Sequence, residues 1–339
     1  MSGTPGLDLA AVQGWLDRTA PGLRQGPLQA EVIVGGLSNL TYRVTDGTTT
    51  WALRRPPLGH VLSTAHDMTR EFRVLSALHG TAVPVAEPVI LCEDVEVNGA
   101  PFYLMAYVDG VVLDKPEVLA RLAPSDAGRA CELLVDTLLA LHAIDPADVG
   151  LEEFGRPHGF LERQVKRWRT QWEASETEPR AGLEELVAAL ADRIPEPQPA
   201  GIVHGDYRLT NVMYSPDVER IAAVVDWEMA TLGDPLTDVG LLVVYQTLGE
   251  QGMFGAAPMS TEAGFLPADA LVERYAAGST RDLSALPWYV AFAWFKLAVI
   301  AEGIHARYLQ GKTVGDGFGG VGVFVPRLLD ASRQWLDRL

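Results

Sequence analysis

Cysteine is nearly absent from this sequence. Cys92 and Cys131 are the only two in 339 residues, which excludes a disulfide framework and leaves too few thiols, too far apart, for a zinc site. Positive charge is also short. Twenty-seven Lys and Arg face 44 Asp and Glu, a net charge of −17, so neither nucleic acid nor an anionic membrane is an expected partner. No stretch reaches about 18 uncharged apolar residues, the length that would suggest a membrane span. The opening MSGTPGLDLA carries no basic leader. No internal repeat appears, and the GGLSN stretch is not a GxGxxG loop. The expectation is a cytoplasmic chain. Its 48% hydrophobic residues can bury a large core in one to three domains.

The pattern changes near residue 110. Before it lie short β-type runs: LQAEVIV (28–34), LTYRVTD (40–46), TTTWALR (48–54), PVAEPVILCED (84–94) and APFYLMAYVDG (100–110). They are rich in Val, Thr and aromatics, and GGLSN and DGT mark turns between the first three. One helix, STAHDMTREFRVLSALHG (63–80), interrupts them. Met68, Phe72, Leu75 and Leu78 fall at helical spacing, and Ser63 or Thr64 is placed to cap it. After residue 110 helices dominate, at 125–144, 159–175, 182–194 and 286–309, with short strands at 202–204, 211–214 and 221–227. The Gly- and Met-containing stretch from about 249 to 265 reads as a loop. The division predicted is a β-rich part over 1–106, with an N-terminal helix, and a helical part over 107–339.

Residues 204–211 read HGDYRLTN, and 224–228 read VVDWE. Phosphoryl transfer asks for metal ligands, a hold on the phosphates and a carboxylate at the attacking hydroxyl. Magnesium accepts a carboxylate, an amide oxygen and the phosphates themselves. Asp206 lies five residues before Asn211, and Asp226 ends an apolar strand. Singly, each also fits a turn or a strand-end cap. Together, downstream of a β-rich segment, they fit a phosphate-transfer site. His204 is expected to brace the loop backbone rather than react.

HGDYRLTN followed by VVDWEMATLGDPLTDVG resembles the aminoglycoside phosphotransferase and choline kinase-like family, which shares the protein-kinase fold. GGLSNLTYRV, WALRRPP, REFRVLSAL and PFYLMAYVDG extend the resemblance over about 28–310. It implies an α+β, two-lobed fold: a small antiparallel β lobe with one helix, and a larger helical lobe. It also implies an enzyme that moves phosphate from ATP, with Mg2+, to a hydroxyl of a small molecule. On the matching positions Asp206 is the base, and Asn211 and Asp226 are the magnesium ligands. Glu71 is the small-lobe helix glutamate. Met105 to Val108, with Tyr107, form the hinge that binds adenine. Ser38 and Asn39 lie in the loop over the phosphates, where Gly35 and Gly36 supply backbone freedom. Asp238 anchors the catalytic loop, and Asp234 caps the helix that follows.

The chain departs from the family at the third strand, where WALRR places Arg54 at the position of the usual phosphate-binding lysine. Arg54 paired to Glu71 would be a working substitute. An Arg54 that is only a solvated strand-end charge would favour a nucleotide-binding module without transfer. PPLGHVLSTAHDMTREFRVLSAL, LERQVKRW and RYLQGK are similar to the subgroup whose kinase domain is joined to acyl-CoA dehydrogenases. That implies a metabolic hydroxyl acceptor, such as a hydroxyacyl-CoA, rather than an aminoglycoside. Arg163, Lys166, Arg167 and Thr170, on one face of 159–175, read either as a solvated face or as a rim for an anionic acceptor.

Overall fold

Alternation of apolar and polar residues builds the first sheet. β1 (Gln29–Val32), β2 (Leu40–Thr45), β3 (Thr50–Arg55), β4 (Pro88–Cys92) and β5 (Phe102–Ala106) pair antiparallel in the order β1-β2-β3-β5-β4. Tyr42 and Val44 of β2 and Trp51 and Leu53 of β3 are buried. They meet Val12, Trp15 and Leu16 of the amphipathic α1 (Leu9–Thr19), and Trp15 stands edge-on to Phe102 with ring centroids 5.3 Å apart. The turn from β2 to β3 is closed by Asp46, whose carboxylate accepts from the Thr48 and Thr49 amides. Gly47 there has φ +90, a conformation glycine adopts without strain.

A computed structural model describes residues 4–33, 39–58, 67–252, 259–312 and 318–339. α2 (Met68–Leu78) is capped by Asp67, whose carboxylate accepts from the Arg70 amide. Ser63 and Thr64, the expected caps, lie outside the described residues. The helix buries Met68, Val74, Leu75 and Leu78, and with them Glu71. The single turn α3 (Val95–Asn98) joins β4 to β5.

The chain divides into two compact units, and not by a single cut. Met1–Val111, Met213–Pro216 and Ile221–Ala230 form the first; Val112–Val212, Asp217–Arg220 and Thr231–Leu339 form the second. The expected division at 106/107 assigns 213–216 and 221–230 to the helical part, whereas they pack with the β-rich one. β6 (Val111–Val112), β8 (Val212–Tyr214) and β9 (Ile221–Val224) make a sheet in the order β6-β8-β9.

The second unit contains α4 (Pro116–Leu119), α5 (Pro124–Ala143), α6 (Phe160–Ser175), α7 (Leu183–Asp192), α8 (Leu236–Glu250), α9 (Ala268–Gly278), α10 (Leu286–Leu309) and α11 (Val325–Leu336). β7 (Gly201–Val203) and β10 (Thr231–Gly233) pair antiparallel. α10 is the core helix, packed by α6, α8 and α11. Its length and apolarity would suffice to cross a membrane, but 72% of its most apolar window is buried within the protein. Of the expected loop at 249–265, residues 253–258 lie outside the described set. Cys92 and Cys131 are free and buried, and burial pushes the Cys131 thiol up to about 11, far from a reactive thiolate.

Candidate active site

In the second unit, β7 runs into His204, Gly205 and Asp206. Gly205 takes φ +84, so the chain turns sharply where the motif requires glycine. Asp238, in the first turn of α8, holds this turn from behind. Its Oδ2 accepts from the His204 amide at 2.7 Å and its Oδ1 from the Gly205 amide at 2.8 Å. The His204 ring is fully buried, and its Nδ1 accepts from the Asp206 amide at 3.2 Å. His204 thus braces the loop, and Asp238 anchors it, in the manner the motif implied. Asp234 accepts from the Leu236 amide at 3.0 Å and from the Tyr289 hydroxyl at 2.7 Å, tying the start of α8 to α10.

The Asp206 carboxylate is gripped on both oxygens. Tyr245 donates its hydroxyl to Oδ1 at 2.8 Å, and Asn211 donates Nδ2 to Oδ2 at 2.8 Å. The same Nδ2 donates to the Asp206 carbonyl at 2.8 Å. Arg208 lies 3.4 Å from Oδ2 and stacks its guanidinium 4.9 Å from the Tyr245 ring centroid. The Asp206 side chain remains 23% exposed, so an orientated carboxylate still meets solvent. Tyr245 was not singled out from the sequence. Its signal was its place seven residues after Asp238, two turns on along the same face of α8.

Asp238 is held below the ordinary aspartate range. Burial alone would raise it, but the hydrogen bond and charge of His142 and the His204 amide outweigh that. Burial lowers His142 in turn, against the hydrogen bond and charge of Asp238. Its Nε2 faces Asp238 Oδ2 at 3.3 Å and its Nδ1 faces the Tyr275 hydroxyl at 2.8 Å; the network assigns the proton to Nε2. Both groups therefore bind fewer protons folded than unfolded, so stability grows with pH through their titration. It should be full above about pH 6.5, the unfolded histidine value, and decline as pH falls toward the folded value of His142. A further decline is expected below about pH 4, where the unfolded aspartate protonates. Thermal melts between pH 8 and 5 test this. The midpoint should drop below about pH 6.5, and His142→Gln should flatten the drop; a wild-type midpoint constant over that range would contradict it.

In the first unit, Arg54 is not a solvated charge. Its Nε lies 2.7 Å from Glu71 Oε2 and its Nη2 2.5 Å from Asp226 Oδ1, with the Arg54 side chain 14% exposed. The Tyr103 hydroxyl donates to Glu71 Oε2 at 2.9 Å. Asn39 is buried and donates Nδ2 to Glu71 Oε1 at 2.9 Å and to Glu228 Oε2 at 3.0 Å. Its side chain is therefore committed to these carboxylates, while Ser38 lies outside the described residues. Asp226 has φ +67, a left-handed conformation uncommon outside glycine and typical of functional turns. Met105 sits in β5, opposite Ala52 and Pro88. Tyr107 is exposed, donates its amide to the Thr50 carbonyl at 3.3 Å and has the Arg43 guanidinium 5.5 Å from its ring centroid.

Magnesium favours oxygen donors and keeps several of its waters. Asn211 spends its amide nitrogen on Asp206, and Arg54 takes Oδ1 of Asp226. Among the described residues no hydrogen bond engages Asn211 Oδ1 or Asp226 Oδ2, so each residue keeps one oxygen of the type this ion takes. Among the described residues no group of three or more His, Cys, Asp and Glu is clustered as a metal site.

The face of α6 proposed as an anionic rim is partly spent. Arg163 donates to the backbone carbonyls of Arg156 and His158, and Arg167 lies 5.8 Å from the Trp168 ring centroid. The apolar face, Leu161, Val165, Trp168 and Trp172, is buried as its spacing predicts.

A β-rich unit with an Arg–Glu pair and a helical unit with a clamped His-Gly-Asp loop define a kinase-like phosphotransferase fold. The chain belongs to the APH phosphotransferase enzyme family, whose model matches residues 29–288. A crystal structure of a Ralstonia eutropha JMP134 protein assigned to the aminoglycoside phosphotransferases is 30% identical, with a TM-score of 0.84 over 98% of each chain. Aminoglycoside phosphotransferase APH(4)-Ia, solved with AMP-PNP and hygromycin B, shares the fold at 16% identity and a TM-score of 0.64, over 96% of this chain and 98% of that one. Acyl-CoA dehydrogenase family member 11 of Gallus gallus is 32% identical over 90% of this chain and 40% of its own length. Family member 10 of Mus musculus is 33% identical over 85% of this chain and 27% of its own. The chain thus spans well under half the length of these two relatives.

Proposed function

We propose that this protein transfers the γ-phosphoryl group of ATP, with Mg2+, to a hydroxyl of a small-molecule metabolite. The observation that carries this reading is the Asp206 carboxylate held by Asn211 and Tyr245 inside the family motif. Asp206 orients the acceptor hydroxyl and takes its proton. Asn211 and Asp226 are the residues that would offer oxygens to magnesium, and the ion would neutralise phosphate charge. Arg54, held by Glu71, contributes positive charge toward the nucleotide. Met105 and Tyr107 lie in the segment that would receive adenine. The relatives named for acyl-CoA dehydrogenases, together with the sequence resemblance, favour a hydroxyacyl-CoA or similar metabolite over an aminoglycoside.

One observation favours a second reading, a nucleotide-binding module without transfer: Arg54 occupies the lysine position and is already paired with Asp226. Two variants separate the readings. Lysine can still meet phosphate and Glu71, so Arg54→Lys should retain most ADP release. Arg54→Met should lose about 100-fold, since a fixed positive charge is removed from the developing phosphate charge. ATP binding with no ADP release in wild type would favour the binding module, while equal, measurable rates in wild type, Arg54→Lys and Arg54→Met would remove Arg54 from the transfer step. Metal dependence is read separately, by melting the protein with ATP and Mg2+ against ATP and EDTA. Stabilisation by ATP is expected to need the metal, and identical midpoints would remove magnesium from the assignment.

A further inference from the structure

Lys296 is the unexplained charge of the core helix. α10 is apolar on nearly every face, yet Lys296 stands at its middle and is only 8% exposed. Its Nζ donates to the Gly205 carbonyl at 2.7 Å and lies 5.3 Å from the Trp168 ring centroid. Among the described residues no carboxylate forms an ion pair with it. Asp206 and Asp238 favour its charge from a greater distance, Arg167 and Arg208 oppose it, and burial dominates, holding its pKa below the ordinary lysine value. A buried ammonium with one hydrogen bond and one aromatic face destabilises a fold relative to an apolar side chain of the same length. Packing alone gives no reason for lysine here.

The position of its one hydrogen bond supplies the reason. Gly205 is gripped on both of its backbone polar groups. Asp238 holds the N–H at 2.8 Å and Lys296 holds the C=O at 2.7 Å. The Gly205 carbonyl belongs to the peptide whose N–H is that of Asp206, and that N–H is itself fixed on His204 Nδ1. Locking both ends of this peptide sets the direction in which the Asp206 side chain leaves the backbone.

We propose that Lys296 is a positioning residue: its ammonium fixes the Gly205 carbonyl so that the Asp206 carboxylate stays aimed at Tyr245 and Asn211. The effect on turnover rests on Asp206 being the base; the effect on loop order does not.

The test uses Lys296→Met and Lys296→Arg in the full chain, with three readouts. In Lys296→Met, hydrogen exchange should rise in the segment 201–214 and stay unchanged elsewhere in the second unit. The melting midpoint should hold or rise, because a buried charge has been removed. ADP release should fall on the order of 100-fold, as displacement of a reacting group by about 1 Å produces, with the KM for ATP unchanged. Lys296→Arg should restore part of the rate. Unchanged exchange at 201–214 in Lys296→Met would overturn the proposal. So would a lowered midpoint with exchange raised throughout the unit, which would make Lys296 a general stabiliser. Should wild type release no ADP with any acceptor, the exchange and melting results still decide the positioning claim. The phosphotransfer reading alone would then fail.

Discussion

Asp206→Asn is expected to bind ATP as wild type does and to lose turnover by about 10³- to 10⁴-fold, the upper range of a general-base contribution. The substitution preserves shape but removes the proton acceptor. It also turns an amide NH2 toward Tyr245 or Asn211, both of which donate to the carboxylate, so the side chain loses its aim as well as its basicity. Nucleotide affinity should persist, because Arg54, Glu71 and the 105–108 segment are untouched. Calorimetric ATP titration beside coupled ADP release measures both quantities. A variant that binds ATP and turns over within tenfold of wild type would refute the role given to Asp206.

Asp238→Ala is expected to cost about 3–5 kcal/mol, the range for breaking a buried charged network. Three donors lose their acceptor together: the His204 amide, the Gly205 amide and His142 Nε2. A buried donor left without a partner costs about 1–3 kcal/mol by itself, and Asp238 and His204 have no solvent exposure. Asp238→Asn should lie between, because an amide oxygen can replace one of the two carboxylate oxygens. Urea unfolding measures the difference, and a loss under about 1 kcal/mol for Asp238→Ala would show that the loop has other support.

The features legible in the sequence were those with local causes. The strands of the first sheet follow from alternation around Tyr42, Val44, Trp51 and Leu53. α2 and α6 follow from helical spacing of their apolar residues. The loop at 204–211 was legible because the spacing of Asp206 and Asn211 lies within one turn of chain. The Arg54–Glu71 pair was legible because the fold the motif implies brings β3 against α2.

What stayed hidden depends on distant packing. Tyr245 and Lys296 reach the 204–211 loop from α8 and α10, and the His142–Tyr275 pair reaches its anchor Asp238 from α5 and α9. No short-range pattern marks which face of an apolar helix points there. α8 and α10 are buried on nearly all sides, so the usual apolar stripe is missing. The placement of 221–230 with the β-rich unit was hidden for the same reason. The Val224 amide bonds the Pro84 carbonyl, a contact 140 residues apart that no periodicity foretells.

The most direct measurement is coupled ADP release over a panel of hydroxyacyl-CoAs, aminoglycosides, choline, homoserine and simple sugars, with ATP and Mg2+ and with Asp206→Asn as the blank. Release with hydroxyacyl-CoAs, absent in the variant and abolished by EDTA, is expected. Release that is equal in wild type and Asp206→Asn, or independent of the metal, would contradict the assignment of this site as a magnesium-dependent phosphotransferase.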